Sequence, residues 1–379
     1  MSGGFIIVSK LKEDNRRNNV NKALVDGFGR VARKLRLSVT DRCNMQCIYC
    51  MPRDDDKKEK SGSDNNQTIA NRWFAKDDVL SYEEFLRISL IMAQLGIEKI
   101  RVTGGEPLLR PRVEDLIAGL SKINGIKSIS MTTNGLYLSE KADLLKKSGL
   151  QSVNISLDTF KVGRFKAMCG IDGLHKVLNS IYAAQNTGLK VKVNTVVVRG
   201  WNDDEVLDFA NFARETGCVV RYIEFMPLDG SGIWSPDLVV SKSEIISRIR
   251  NDICNIEEAS SGIIDNTNHG AALSDTGSAP EKLYSFTDGK GTVGFIPSMT
   301  EPFCAQCDRV RITSDGRLLT CLFENPGHDI RNLLRNGKTD QEIANYILES
   351  MRKKPEGIVR IIRSKALKPT LNLMHTIGG

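Results

Sequence analysis

Between residues 35 and 225, short β-branched runs alternate with amphipathic stretches six times over. The runs are LRLSVT (35–40), EKIRVT (98–103), IKSISM (126–131), QSVNIS (151–156), KVKVNTVVV (190–198) and CVVRYIEF (218–225). Helical patterns fill the gaps: SYEEFLRISLIMAQLG, PRVEDLIAGLSKI, LSEKADLLKKSG, DGLHKVLNSIYAAQNTG and NDDEVLDFANFARETG. Several end in glycine, as a left-handed cap requires, and the last opens on an Asn/Asp cap signal. A strand, helix, strand repeat builds a parallel sheet with right-handed crossovers. A complete TIM barrel needs eight such steps. Six predict an α/β fold of the incomplete (β/α)6 TIM type, with an open doubly wound sheet as the second choice.

The boundaries that follow are an N-terminal extension (1–34), the partial barrel (35–230) and a C-terminal region (231–379). Polar stretches at 53–76 and 257–282 interrupt the pattern and read as surface insertions without an assigned fold. Short strands are expected around Val293 and Arg311, then helices near 328–336 and 339–352. With 40% hydrophobic and 26% charged residues, the chain has the composition of a soluble globular protein. No apolar run approaches the roughly 20 residues of a membrane span, and the start lacks a secretory core. A net charge of +7 without a basic stripe or a recognisable module argues against nucleic acid. A cytoplasmic location is expected: in a reducing compartment, clustered cysteines serve as metal ligands more readily than as disulfides.

Six of the nine cysteines form two clusters. CNMQCIYC places Cys43, Cys47 and Cys50 directly after the first strand with spacing C-x3-C-x2-C. Cys304, Cys307 and Cys321 follow C-x2-C-x13-C. Each set offers three sulfurs, one short of a closed zinc shell. Either a fourth ligand comes from elsewhere, or each set holds an iron–sulfur cube with an open corner. Cys169, Cys218 and Cys254 stand alone and read as buried structural thiols.

Other strand ends carry Gly104-Gly105-Glu106, TTNG (132–135), SLD (156–158) and Met226-Pro227, all expected at the rim where parallel α/β folds build their sites. Arg36, Arg101, Lys192 and Arg221 alternate with aliphatic neighbours, so they point away from the face that meets the helices. Cations gathered inside a sheet repel unless an anion joins them. A phosphate ester would serve, with Arg309 and Arg311 extending the patch, and glutamates such as Glu224 are the plain structural alternative.

C-x3-C-x2-C after the first strand and GGEP after the second resemble radical S-adenosylmethionine (SAM) enzymes. In that superfamily three cysteines hold a [4Fe–4S] cluster, and SAM binds the open iron. Over nearly the whole chain, RLSVTDRCN, RVTGGEPLLR, TTNG, NISLD, VKVN, IEFMP, the second cysteine set with its R-x-R, and the Gly-Gly end are similar to the GTP 3′,8-cyclase family. The resemblance implies a lyase that abstracts the ribose 3′-hydrogen of GTP with a 5′-deoxyadenosyl radical and joins C3′ to guanine C8. The product, 3′,8-cyclo-7,8-dihydro-GTP, opens molybdenum cofactor biosynthesis and passes to a pyranopterin synthase.

It further implies two [4Fe–4S] clusters, the first on Cys43, Cys47 and Cys50 and the second, in the C-terminal extension, on Cys304, Cys307 and Cys321. SAM would meet Tyr49, Gly105, Ser156 and Met226. GTP would meet Arg36, Arg101, Thr132, Lys192, Arg309, Val310 and Arg311. Arg309, Arg311, Gly378 and Gly379 would act in catalysis. An electron donor and a homodimer complete the expected partners. The competing readings are a radical SAM enzyme that modifies peptides or tetrapyrroles, and a zinc-stabilised binding protein.

Overall fold

The computed structural model describes residues 23–51, 73–228, 232–259, 281–359 and 374–378. All six expected strands are present: β1 (Lys34–Ser38), β2 (Lys99–Thr103), β3 (Ser128–Thr133), β4 (Ser152–Ser156), β5 (Lys190–Val197) and β6 (Val219–Glu224). The connecting helices are α1 (Tyr82–Gln94), α2 (Val113–Leu120), α3 (Leu138–Lys147), α4 (Val162–Cys169), α5 (Leu174–Asn186) and α6 (Val206–Thr216). Helix α4 was not expected, because VGRFKAMC, at eight residues, is too short for a helical period to show.

Local chemistry sets the helix ends. Ser81 accepts from the Glu84 amide while the Glu84 carboxylate accepts from the Ser81 amide, a capping box that starts α1. The expected cap before α6 does not form. Asn202 instead accepts from the Val198 amide and donates to the carbonyls of Asp158 and Val196, because it is buried between two strand ends whose backbone needs partners.

The chain then adds α7 (Lys242–Asp252), β7 (Ile256–Glu258), β8 (Lys282–Phe286), β9 (Thr292–Ile296), β10 (Arg309–Ile312), β11 (Arg317–Leu319), β12 (His328–Asp329), α8 (Arg331–Arg335), α9 (Asp340–Arg352) and α10 (Met374–Ile377). These later strands join the first sheet at both edges, in the order β12-β11-β10-β1-β2-β3-β4-β5-β6-β9-β8-β7. Strand β10 pairs parallel with β1, and β9 pairs parallel with β6. The six-strand partial barrel is thus flanked by its own C-terminal extension. The insertion at 257–282 needs correcting at its ends: β7 and β8 form an antiparallel pair there. Residues 53–72 and 260–280 of the two insertions lie outside the described residues.

The alternation works as the period-two argument requires. Leu35, Leu37, Ile100, Val102, Val153, Ile155 and Val193 are buried in one core with Phe85 and Ile88 of α1, Leu116 and Ile117 of α2, and Leu145 of α3. Each such side chain contributes about 1.5–3 kcal/mol. The residues between them face the other way, and there the site lies.

Candidate active site

Strand register aligns the cations. Arg36 lies opposite Arg311 on one side and Arg101 on the other. Along the next strands Thr132 faces Asn154, Asn154 faces Lys192, and Asn194 faces Arg221. Of this row, Arg36, Arg101, Thr132, Asn194, Arg221 and Arg311 line a cavity with about 2010 Å³ of empty volume, its open mouth included. All six clustered cysteines line it, together with Arg36, Arg101, Arg221, Arg309 and Arg311.

Of the expected SAM residues, Tyr49, Gly105, Ser156 and Met226 all line the cavity, and so does Thr132 of the expected GTP set. Val310 does not: it points into the core between the two arginines, leaving only its backbone to the site. Lys192 shares a strand face with Asn194 and Val196, yet it is not among the residues that line the cavity, and its ammonium is held by Glu281. Gly378 accepts a 2.6 Å hydrogen bond from Arg311 through its carbonyl, so the C-terminal segment does enter the site. Gly379 lies outside the described residues.

The first cysteine loop is fixed by the glycines after β2. The Gly105 amide donates to the Thr40 carbonyl at 2.7 Å, and the Glu106 amide to the Arg42 carbonyl at 2.8 Å. A Cβ on Gly105 would come within 2.6 Å of the Asp41 carbonyl oxygen, so the two loops touch only because that atom is missing. Glu106 is fully buried and accepts from the Leu108 amide, the Thr133 hydroxyl and the Asn134 amide, tying the ends of β2 and β3 together. Asn134 in turn donates to Asn44 Oδ1 at 2.7 Å, inside the cysteine loop.

Asp158 was not singled out from the sequence beyond its place in SLD. Its carboxylate takes the Tyr49 hydroxyl and the Val196 amide. Burial lifts that carboxyl to about 6, against both donors. Also missed were Met374 and His375 of α10, which form part of the cavity wall.

The acids and isolated cysteines depart from expectation in part. Glu224 pairs with none of the interior cations. Its buried carboxylate accepts from the Lys242 amide at the start of α7, from the amides of Met299 and Thr300 after β9, and from the Thr300 hydroxyl. Glu281 is the acid that reaches the cations. Cys169 and Cys218 are buried, as a structural thiol should be, yet Cys169 also borders the cavity, and Cys254 is only half-buried.

The donor sets fit cationic metal centres. Burial pushes the Cys43 thiol up to about 12, and burial with neighbouring Cys47 and Cys43 lifts Cys50 well above the ordinary thiol range. Such sulfurs become thiolates only with a cation among them. Among the described residues no three His, Cys, Asp or Glu side chains gather as around one metal ion.

The arginines ask for the opposite charge. Burial depresses Arg36 far below its ordinary range, with Arg311 and Arg101 adding to it. Burial and then Arg221 bring Arg101 down to about 9. Burial and Arg309 bring Arg311 to about 10. A guanidinium does not shed its proton in a protein, so the depression is a demand for an anion.

Comparison with known proteins agrees with this geometry. Residues 37–213 match the model of the Radical SAM superfamily, and residues 218–359 match that of Molybdenum Cofactor Synthesis C. The GTP 3′,8-cyclase of Thermodesulfovibrio yellowstonii is 39% identical over 93% of this chain and 99% of its own length. That of Peptoclostridium acidaminophilum is 38% identical over 88% of this chain and 92% of its own. Molybdenum cofactor biosynthesis protein 1 of Bos taurus is 38% identical over 86% of this chain and 47% of its own. The solved structure of Streptococcus suis SuiB superposes with a TM-score of 0.53 at 16% identity, over 95% of this chain and 71% of that one, a likeness of fold alone. With both family models matched and cyclases at 38–39% identity covering 88–93% of it, the chain belongs to the GTP 3′,8-cyclase family of the radical SAM superfamily.

Proposed function

We infer that this chain converts GTP to 3′,8-cyclo-7,8-dihydro-GTP, the entry step of molybdenum cofactor biosynthesis. The observation that carries the reading is one cavity lined by both cysteine triads and by five arginines. Cys43, Cys47 and Cys50 would hold a [4Fe–4S] cluster whose open iron receives SAM. Cys304, Cys307 and Cys321 would hold a second cluster facing the guanine. With SAM, the first cluster supplies the 5′-deoxyadenosyl radical that removes the 3′-hydrogen.

The chain's own residues do the rest. Gly105 brings the backbone after β2 against the cysteine loop, where a carbonyl can receive the SAM amine. Tyr49 is fixed by its bond to Asp158, so its ring stands as a rigid wall beside the first triad. Arg36, Arg101, Thr132, Lys192 and the Arg309-to-Arg311 strand bind the nucleotide, chiefly through its phosphates. Arg311, touching the Gly378 carbonyl, couples the C-terminal segment to the site where the cyclised radical takes up an electron and a proton. Among the described residues no helix is long and apolar enough to cross a membrane.

The test is an anaerobic incubation of the iron- and sulfide-reconstituted chain with GTP, SAM and a strong reductant. 5′-Deoxyadenosine and a cyclised nucleotide should appear in matching amounts. A preparation that retains zinc, takes up no iron and cleaves no SAM would end the reading.

A further inference from the structure

Two of the interior cations are already satisfied from within the chain. Glu281 is the last residue before β8, and its carboxylate reaches between β5 and β6. One oxygen bonds Lys192 Nζ, and the other lies 2.8 Å from Arg221 Nη1. The Glu281 side chain is only 7% exposed. Arg221 is steadied on its remaining nitrogens by Asn154 Oδ1 at 2.5 Å and Asn194 Oδ1 at 2.8 Å. Burial would raise the Glu281 carboxyl, but Arg221 and Lys192 outweigh it and hold it at about 2. The group is therefore anionic at any working pH.

An anion with one oxygen on each of two buried cations occupies the position a phosphate takes in an Arg/Lys clamp. We propose that Glu281 is an internal counter-ion seated in a phosphate position between Lys192 and Arg221, and that the triphosphate of the substrate displaces it. The proposal rests on the reading of Lys192 as a nucleotide-binding residue.

Two features make Glu281 displaceable. Its carboxylate has only these two partners among the described residues, and it sits just outside the paired part of β8, which begins at Lys282 opposite Phe295. The residue can swing away without breaking a rung of the sheet. Glu224 is the counter-example in the same sheet: three backbone amides and a hydroxyl lock its carboxylate in place. The exchange is also sound electrostatically. Removing one partner of a buried ion pair is costly, so the cations release Glu281 only to a ligand of at least equal charge. The site then favours a polyphosphate over a nucleoside, and Glu281 sets the threshold.

The experiment measures equilibrium binding of GTP and of inorganic triphosphate to the cluster-loaded protein, with iron content and circular dichroism checked for each variant. Glu281→Gln should bind both anions about tenfold more tightly and lower the KM for GTP. Glu281→Asp should fall between. In the unaltered protein, triphosphate should speed amide exchange at residues 281–283. Unchanged or weaker binding by Glu281→Gln, while Lys192→Ala loses affinity, would overturn displacement and make Glu281 a support for the two cations. Undiminished binding by Lys192→Ala would instead remove the underlying reading, because no phosphate would then sit there. If neither glutamate variant folds, unchanged exchange at 281–283 in the native protein overturns the proposal by itself.

Discussion

The two cysteine triads share a cavity but live in opposite electrostatic surroundings. Acids lie near the first: Glu106 bears on Cys43, and Asp158 bears on Cys50. The second is ringed by cations. Burial raises the Cys307 thiol, yet Arg309, Lys354 and Arg30 outweigh it and bring it below the ordinary range. The supports differ as well. The first triad rides on one loop clasped by the glycines after β2. The second draws on distant parts of the chain: Arg30 donates to the carbonyls of Cys304, Pro355 and Glu356, and Lys354 to those of Cys307 and Arg309. On the proposed function this polarity matches the two ligands. SAM brings a sulfonium and an ammonium to the acidic end, and GTP brings its phosphates to the basic one.

The sharpest way to break this division is to remove one sulfur from each triad. Cys43→Ser should abolish 5′-deoxyadenosine formation altogether. Cys304→Ser should continue to cleave SAM while yielding no cyclised nucleotide. Product analysis by chromatography separates the two. A Cys304→Ser enzyme that cyclises GTP at the parental rate would erase the distinction.

A smaller effect is expected from the glycine beside the second triad. Gly357 has φ +116°, and a Cβ there would lie 2.6 Å from Cys304 Sγ. Gly357→Ala combines a strained backbone, costing about 1–2 kcal/mol, with a clash at a proposed cluster ligand. Iron and sulfide content should fall by about four atoms each per chain, the content of one cube. SAM cleavage should persist, because the first triad does not touch this glycine. Full iron content in this variant would show that the Cys304 side chain is free to move away.

The sheet and the first triad were legible because their signals are local. A period of two along each strand, glycines at helix ends and a three-cysteine loop are all written within ten residues of one another. The row of interior cations followed from the same period. What escaped was non-local or unpatterned. Glu281 belongs to a polar stretch with no periodicity, so nothing marked it as the acid that enters the sheet in place of Glu224. Arg30 and Lys354 lie 274 and 47 residues from the cysteines they brace. Val310 was carried along with its arginine neighbours, although the same alternation that turns them toward the cavity turns it into the core. The strands β7, β11 and β12, two or three residues long, are too short for a pattern to stand out.

The subtlest expected effect concerns Lys354, which is 3% exposed and whose ammonium lies 3.7 Å from Cys307 Sγ. A cation and N–H donor at a ligating thiolate stabilises the extra electron of a reduced cluster. Lys354→Met keeps the length of the side chain and removes both. The midpoint potential of the second-triad cluster should drop by on the order of 60 mV, a factor of ten in its redox equilibrium. The first-triad cluster should hold its potential, since the ammonium neighbours the other triad. Lys354→Arg should restore most of the shift. Two carbonyls, those of Cys307 and Arg309, lose a donor in the Met variant, so a stability loss of about 1–3 kcal/mol should accompany it. A redox titration followed by electron paramagnetic resonance reads both clusters in one sample. Equal shifts in the two would mean that the charge around each triad is not its own but a property of the whole cavity.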